Sequence, residues 1–120
     1  MNRHGEFKFY WNGDLLTIKM MGPFNDEGVL ACSKEIKDAI RQRNLPSWRR
    51  LEMLDEYTLA SMSALELTRQ LYEWYNNHGC RATAIVVSNS VQVDALQKII
   101  KCHDPIFFNM SKAKEWIKNQ

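Results

Sequence analysis

Cysteine, proline and glycine are scarce in this sequence, whose 120 residues include 3 cysteines, 3 prolines and 5 glycines. Cys32, Cys80 and Cys102 are odd in number and far apart, which argues against a disulfide framework and against the paired spacing of a zinc site. We expect them to be reduced thiols. Apolar runs are also short, as in Ala84-Ile85-Val86-Val87, so no segment is predicted to span a membrane.

A strong charge of one sign and the common cofactor motifs are missing as well. The formal net charge is only +2, so the sequence does not predict electrostatic binding to nucleic acid or to anionic lipid. Neither a GxGxxG nor a GxxxxGK(S/T) run occurs, and no GxSxG elbow, so a nucleotide-binding enzyme or a serine hydrolase is not expected. His4, His78 and His103 are scattered, and Cys102-His103 is interpreted as an incidental pair. No metal and no cofactor are predicted.

The overall composition is that of an ordinary globular chain, with 45% hydrophobic and 25% charged residues. Residues 1–6 lack the apolar stretch of a secretory signal, so the sequence predicts a cytoplasmic protein. No linker, internal repeat or low-complexity segment divides the chain. Because this length fits one domain, we predict a single domain over residues 1–120.

Alternation of apolar and polar residues predicts an N-terminal β-hairpin. Residues 7–11 and 16–20 alternate on either side of Asn12-Gly13, a pair that favours a tight two-residue turn. The strand predicted at 50–54 is less apolar than a strand covered on both faces should be. Two further strands are predicted, at 82–87 and 105–108.

Apolar stripes at helical spacing predict four helices. Asn25 is the predicted cap of the first, Ser63-Ala64-Leu65-Glu66 has the spacing of a capping box at the start of the second, and Ser111 is the predicted cap of the fourth. The element order is therefore β-β-α-β-α-β-α-β-α. Right-handed crossovers make this an α/β fold, a three-layer sandwich with a mostly parallel five-stranded sheet and an N-terminal antiparallel hairpin.

Two carboxylates follow the strand at 50–54. Asp55 and Glu56 lie beyond the carboxyl end of that strand, where α/β proteins form their sites. They are the residues on which a small enzyme would rely for a general base. A solvated loop is the alternative interpretation.

A basic cluster brackets the end of the first helix and the start of the next strand. It consists of Arg41, Arg43, Arg49 and Arg50, with Trp48 as an aromatic neighbour. Arginines near a helix C-terminus complement the helix dipole without any partner. The same residues are a candidate contact patch for an acidic partner, anchored by Trp48.

Three segments give the chain a resemblance to a known family. Met21-Gly22-Pro23-Phe24-Asn25 precedes an amphipathic helix, and Leu51-Glu52-Met53-Leu54 is followed by a loop and by Ser61-Met62-Ser63-Ala64-Leu65. His78-Gly79-Cys80 precedes the apolar strand at 84–87. Together with the order of elements, this pattern resembles the STAS domain (sulfate transporter and anti-sigma-factor antagonist), and especially its SpoIIAA-like group of small bacterial proteins. The resemblance spans nearly the whole chain.

In the anti-sigma-factor antagonists of this family, the loop before the second helix reads Asp-Ser-Ser-Gly, and a partner kinase phosphorylates its first serine. Counted back from Gly79, the motif lies over Ser61-Met62-Ser63-Ala64, which places Met62 at the phosphoacceptor position. The motif is degenerate here, and Ser61 or Ser63 takes the phosphate if the register shifts by one. The alternative for Ser63 is an ordinary helix cap.

The resemblance implies a non-catalytic regulatory or protein-interaction module of the bacterial cytoplasm, whose partner would be a protein such as a kinase or an anti-sigma-like regulator. The residues of its partner-binding loop would be Asp55, Glu56, Tyr57, Ser61, Met62 and Ser63. Some SpoIIAA-like proteins are grouped with Sec14-type lipid-binding domains, so a carrier of a lipid or small apolar ligand is the alternative. An enzyme that uses Asp55 or Glu56 as its base is a third interpretation.

Overall fold

A computed structural model of the chain describes residues 3–100 and 104–120, so that Cys102 and His103 lie outside the described residues. The described elements are β1 (Glu6–Asn12), β2 (Leu15–Met21), α1 (Asp26–Arg43), β3 (Trp48–Leu54), α2 (Met62–Asn77), β4 (Cys80–Val86), α3 (Ser90–Gln97), β5 (Ile106–Phe107) and α4 (Met110–Lys118). Their order is the predicted one. Within the described ranges, no helix combines the length and the apolar character that crossing a membrane requires.

The five strands form one sheet in the order β1-β2-β3-β4-β5. β1 and β2 are antiparallel, and the other neighbours are parallel, which confirms the predicted mixed sheet. Asn12 pairs with Leu15, so the hairpin turn is Gly13-Asp14, one residue later than predicted. Gly13 has a φ of 62°, a left-handed conformation that glycine adopts at little cost.

The two faces of the sheet are covered unequally. From β2 to β5 each crossover moves one strand in the same direction, and right-handed crossovers then place α1, α2 and α3 on one face. Side chains of these helices share a core with Leu16 and Ile18 of β2. On the other face, Ala113 and Ile117 of α4 pack with Leu51 of β3. The predicted three-layer sandwich is confirmed, with three helices in one layer and one in the other.

The start of α1 is the predicted one. The Asn25 side chain accepts a hydrogen bond from the Gly28 N–H at 2.9 Å, as expected of a helix cap. The N-terminal segment crosses this first turn so closely that a Cβ atom on Gly28 would lie 1.8 Å from the His4 carbonyl oxygen. Residue 28 therefore has to be glycine.

Two other predicted helix starts are wrong by two residues. α2 is capped by Ser61, whose side chain accepts from the Ala64 N–H at 3.2 Å, and Ser63 lies inside the helix. α4 is capped by Asn109 instead of Ser111. In both cases an earlier polar residue already satisfies a first-turn N–H group, so the predicted cap residue is helical.

Candidate functional site

The loop between β3 and α2 (residues 55–61, the β3–α2 loop) is fixed to the end of β2 by Asp55. Its carboxylate accepts hydrogen bonds from the Gly22 N–H, at 3.1 and 3.2 Å to its two oxygens, from the Tyr57 N–H at 3.0 Å and from the Thr58 hydroxyl at 2.7 Å. Hydrogen bonds to an ionised acceptor are roughly twice as strong as neutral ones. Asp55 therefore determines the conformation of the first half of the loop.

The same hydrogen bonds determine the charge state of Asp55. Burial raises the pKa of its carboxyl, but the hydrogen bonds from Thr58, Gly22 and Tyr57 together outweigh burial and hold this pKa below its ordinary value. A general base works best with a pKa near the working pH and within reach of a substrate proton. The low pKa and the occupied oxygens favour a structural role for Asp55 over catalysis.

Acid is expected to weaken this anchor. A carboxyl whose folded pKa lies below its unfolded pKa adds stability above the unfolded value, and loses it as the pH falls through the folded value. We therefore expect the free energy of unfolding, measured by urea denaturation, to fall below about pH 4, and to fall less steeply in Asp55→Asn. Glu56→Gln, an exposed neighbour in the same loop, is the control. Parallel acid profiles for Asp55→Asn and the wild type would contradict the anchor.

α3 contributes a second anchor through Gln92, which is only 2% exposed. Its Nε2 donates to the carbonyl oxygens of Asp55 at 2.6 Å and Thr58 at 3.1 Å, and its Oε1 accepts from the Ser88 N–H at 2.8 Å. The sequence interpretation missed Gln92, because a glutamine in a helix is usually at the surface.

The far side of the loop is tied to the start of α1. The Phe24 N–H donates to the Leu59 carbonyl oxygen at 2.8 Å, and Phe24 forms an isolated parallel bridge with Ala60. The Ser63 hydroxyl donates to the Asp26 carboxylate at 2.8 Å. The loop and the first turn of α2 are therefore held from both sides.

Three large apolar side chains are exposed on this framework, and together they are called the loop surface. Tyr57, Leu59 and Met62 are 64%, 48% and 77% exposed. Large apolar side chains that are exposed within one short segment indicate a candidate protein contact site. The other predicted loop residues that are exposed are Glu56, Ser61 and Ser63.

The predicted basic patch is not a single surface. Arg50 is 2% exposed and lies in the core under α2, whereas Arg49 faces α4, because successive residues of a strand point to opposite faces. Arg49 pairs with Asp14 at 2.6 Å and donates to the Ile117 carbonyl oxygen at 2.8 Å. Arg49 therefore holds the C-terminal helix in place, and the inclusion of Arg50 in a contact patch is wrong.

Arg41 and Arg43 do lie at the surface, at the end of α1. Their guanidinium groups lie over the rings of Trp74 and Trp11, at 5.3 and 5.4 Å from the ring centroids. Trp48 is fully buried, so its predicted role as an interface anchor is wrong. The Trp48 indole packs edge-on against the ring of Trp11.

A buried ion pair lies on the face of β3 that α1–α3 cover. Arg50 donates to one carboxylate oxygen of Glu52 at 2.8 Å, and the Tyr72 hydroxyl donates to the other. The Arg50 guanidinium also lies 4.2 Å from the Tyr72 ring centroid and 4.4 Å from that of Tyr75. Burial lowers the pKa of Arg50, but the electrostatic contributions of Glu52, Tyr72, Tyr75 and Cys80 together outweigh burial and raise this pKa above its ordinary value. Arg50 is therefore a cation in the core, beside the Glu52 carboxylate.

The sequence interpretation missed this pair, although a signal was present. The strand at 50–54 is less apolar than its central position requires, and its two charged residues are Arg50 and Glu52. Charges two residues apart on a central strand lie on the same covered face and have to be paired.

A cavity of about 130 Å³ lies beside Glu52, between the sheet and helices α1–α3. Glu52 and Tyr75 in its wall are buried, whereas Leu59 and Val91 are exposed, so the cavity opens beneath the β3–α2 loop. Burial raises the pKa of the Cys32 thiol in the same wall, so that it is protonated at neutral pH. The other walls are mostly aliphatic and include Met20, Val29, Ile36, Leu65, Leu71 and Leu96.

Across residues 3–100 and 104–120, no three histidine, cysteine, aspartate or glutamate side chains are grouped as metal ligands would be. The polar residues in the wall of the cavity include Glu52, Thr58 and Gln92.

No protein-family model matches the sequence, and a search of curated proteins finds no match. Among solved structures, the chain is similar to an uncharacterized protein of the DUF3478 family with a SpoIIAA-like fold, from Shewanella loihica PV-4. The TM-score is 0.66, with 15% sequence identity, over 98% of this chain and 96% of that one. Identity at this level shows the fold alone. The chain therefore has a SpoIIAA-like fold, as its sequence resemblance predicted.

Proposed function

We propose that the protein is a non-catalytic, STAS-like regulatory module of the bacterial cytoplasm that contacts a protein partner through its β3–α2 loop and the first turn of α2. The observation that supports this proposal is the loop surface of Tyr57, Leu59 and Met62, exposed on a backbone that Asp55 and Gln92 fix. A preorganised surface loses little conformational entropy when it binds, so more of the contact energy contributes to affinity.

Met62 is the centre of the proposed contact. It is the most exposed of the three side chains and occupies the position that the resemblance assigns to the phosphoacceptor. Burying a methionine side chain in an apolar groove of a partner contributes about 1.5–3 kcal/mol. By the resemblance, that partner is a kinase or an anti-sigma-like regulator.

Ser63 and Ser61 are the residues where phosphorylation would alter this surface. The Ser63 hydroxyl donates to Asp26, so a phosphoryl group there would place about two negative charges beside a carboxylate and separate α2 from the start of α1. A phosphoryl group on Ser61, the cap of α2, would instead lie at the positive end of the helix dipole. Modification at Ser63 is therefore the one that would release the docking surface.

A matched pair of charge substitutions tests the proposal. Met62→Glu places a carboxylate in the loop surface, at a first-turn position that tolerates it. Tyr10→Glu makes a similar change at a side chain that is 51% exposed on the edge strand β1. In affinity capture from a lysate of the source cells, we expect Met62→Glu to reduce recovery of the partner about tenfold or more, and Tyr10→Glu to leave it unchanged. Equal recovery of the partner with both variants would contradict the assignment of the β3–α2 loop as the contact surface.

A further inference from the structure

β1 is a long and regular edge of the sheet. It lies at one end of the strand order, and its seven residues pair with β2 in an unbroken register. Many proteins shorten an edge strand, or interrupt it with a bulge or a proline, because its unpaired backbone groups can add a strand from another chain. β5, at the other edge, is only two residues long. β1 has neither a bulge nor a proline, so it is the edge at which a further strand can pair.

The backbone of β1 directs hydrogen-bonding groups away from β2 at every second residue. Asn12 and Leu15 flank a two-residue turn, and residues in that position exchange both of their backbone hydrogen bonds. The pattern alternates along an antiparallel pair, so the N–H and C=O groups of Phe7, Phe9 and Trp11 point outward. A further antiparallel strand would therefore pair with these three residues.

The charges of the hairpin are unbalanced on the face opposite α1. Phe7 and Phe9 pack against the core that α1–α3 cover, so Glu6 and Lys8 lie on the other face of the strand, where both are exposed. Lys8 is directly opposite Lys19, and like charges at opposite positions of a sheet are destabilising. Among the described residues, Glu6, Lys8 and Lys19 form no ion pair. A carboxylate beside Lys8 would relieve this repulsion.

A second copy of the chain can supply that carboxylate. Two antiparallel β1 strands related by a two-fold axis can pair their outward groups in only a few registers. An axis at Lys8 places two lysines opposite each other, and an axis at Phe9 pairs the most residues but brings Lys8 and Lys19 of both copies together without an acidic group. An axis at Phe7 places Lys8 of each copy opposite Glu6 of the other. Because Glu6 is the only acidic residue of β1, no other register does so.

The same register is favourable on the other face of the sheet. Phe7 and Phe9 are half-buried, and their ring centroids are 6.4 Å apart in a stacked arrangement. With the axis at Phe7, the two Phe7 side chains lie directly opposite each other and cover part of their exposed area. We propose that β1 pairs with β1 of a second copy about a two-fold axis at Phe7, which joins the two sheets, and that the Glu6–Lys8 pairs fix the register.

Two charge reversals test this register. In Lys8→Glu and in Glu6→Lys both of the intermolecular pairs become like-charged, so we expect each variant to dimerise about tenfold more weakly than the wild type in sedimentation equilibrium. Lys8→Glu also places a carboxylate opposite Lys19 within the hairpin, so its monomer should unfold at an equal or higher urea concentration than the wild-type monomer. A weaker dimer of a fully stable chain separates loss of pairing from loss of fold.

A mixture of the two variants is the sharper test. In the mixture each acidic β1 strand meets a basic one, so we expect a heterodimer at concentrations where neither variant dimerises alone. Tyr10→Glu, on the same face but beyond the paired segment, is the control and should dimerise as the wild type does.

Three outcomes would overturn the proposal. A wild type that is monomeric at about 1 mM would leave β1 to a different occupant. A dimer that tolerates both charge reversals would be formed by another surface, and a mixture that stays monomeric would exclude the Glu6–Lys8 register. None of these measurements uses the partner of the β3–α2 loop, so their outcome is independent of the proposed function.

Discussion

Glu52→Gln is expected to lower the free energy of unfolding by about 3–5 kcal/mol, measured by urea denaturation at neutral pH. The substitution keeps the shape of the side chain but removes the negative charge that faces Arg50, which is 2% exposed. Arg50 is then a buried cation without a counter-charge, and Tyr72 loses its ionised acceptor. Breaking one half of a buried pair is costly because water cannot reach the other half.

A double substitution separates the charge effect from simple loss of packing. Arg50→Met combined with Glu52→Leu removes both charges and retains apolar volume, so we expect the double variant to be more stable than Glu52→Gln alone. Glu66→Gln, which breaks an exposed pair with Arg69, is the surface control and should change stability little. A double variant less stable than Glu52→Gln would show that packing, and not the unpaired charge, dominates at this site.

Local patterns were sufficient to predict the order of elements. Alternation predicted the hairpin, and Asn25 was correctly predicted as a helix cap, because each depends on residues only a few positions apart. The starts of α2 and α4 were wrong because two polar residues lie within one turn in each case and either can cap. In α2 the cap is Ser61, and Ser63 instead donates to Asp26, which is distant in the sequence.

Buried polar residues could not be predicted in the same way. A charged or amide side chain is usually exposed, and its burial is tolerated only when partners satisfy it. For Glu52 a partner is Tyr72, which lies 20 residues away on α2. For Gln92 the partners lie in the β3–α2 loop, more than 30 residues earlier in the chain. The loop was therefore predictable as a candidate site from its position after a strand, whereas its anchors and the cavity beneath it were not.

Gln92→Ala is expected to lower the free energy of unfolding by about 2–4 kcal/mol and to release the β3–α2 loop. The substitution removes three hydrogen bonds and leaves the carbonyl oxygens of Asp55 and Thr58 and the N–H of Ser88 without that partner. Urea denaturation measures the first effect. Gln97→Ala, at an exposed position of the same helix, is the control for helix propensity and should change neither stability nor the loop.

Amide hydrogen exchange measures the second effect of Gln92→Ala. We expect faster exchange at Tyr57, whose N–H donates to Asp55, and at Phe24, whose N–H donates to the Leu59 carbonyl oxygen. Since Gln92 is buried, the variant alters no side chain of the loop surface, and weaker partner binding by Gln92→Ala would therefore measure how much the fixed backbone contributes to docking. Unchanged exchange at both amides would mean that Asp55 alone holds the loop.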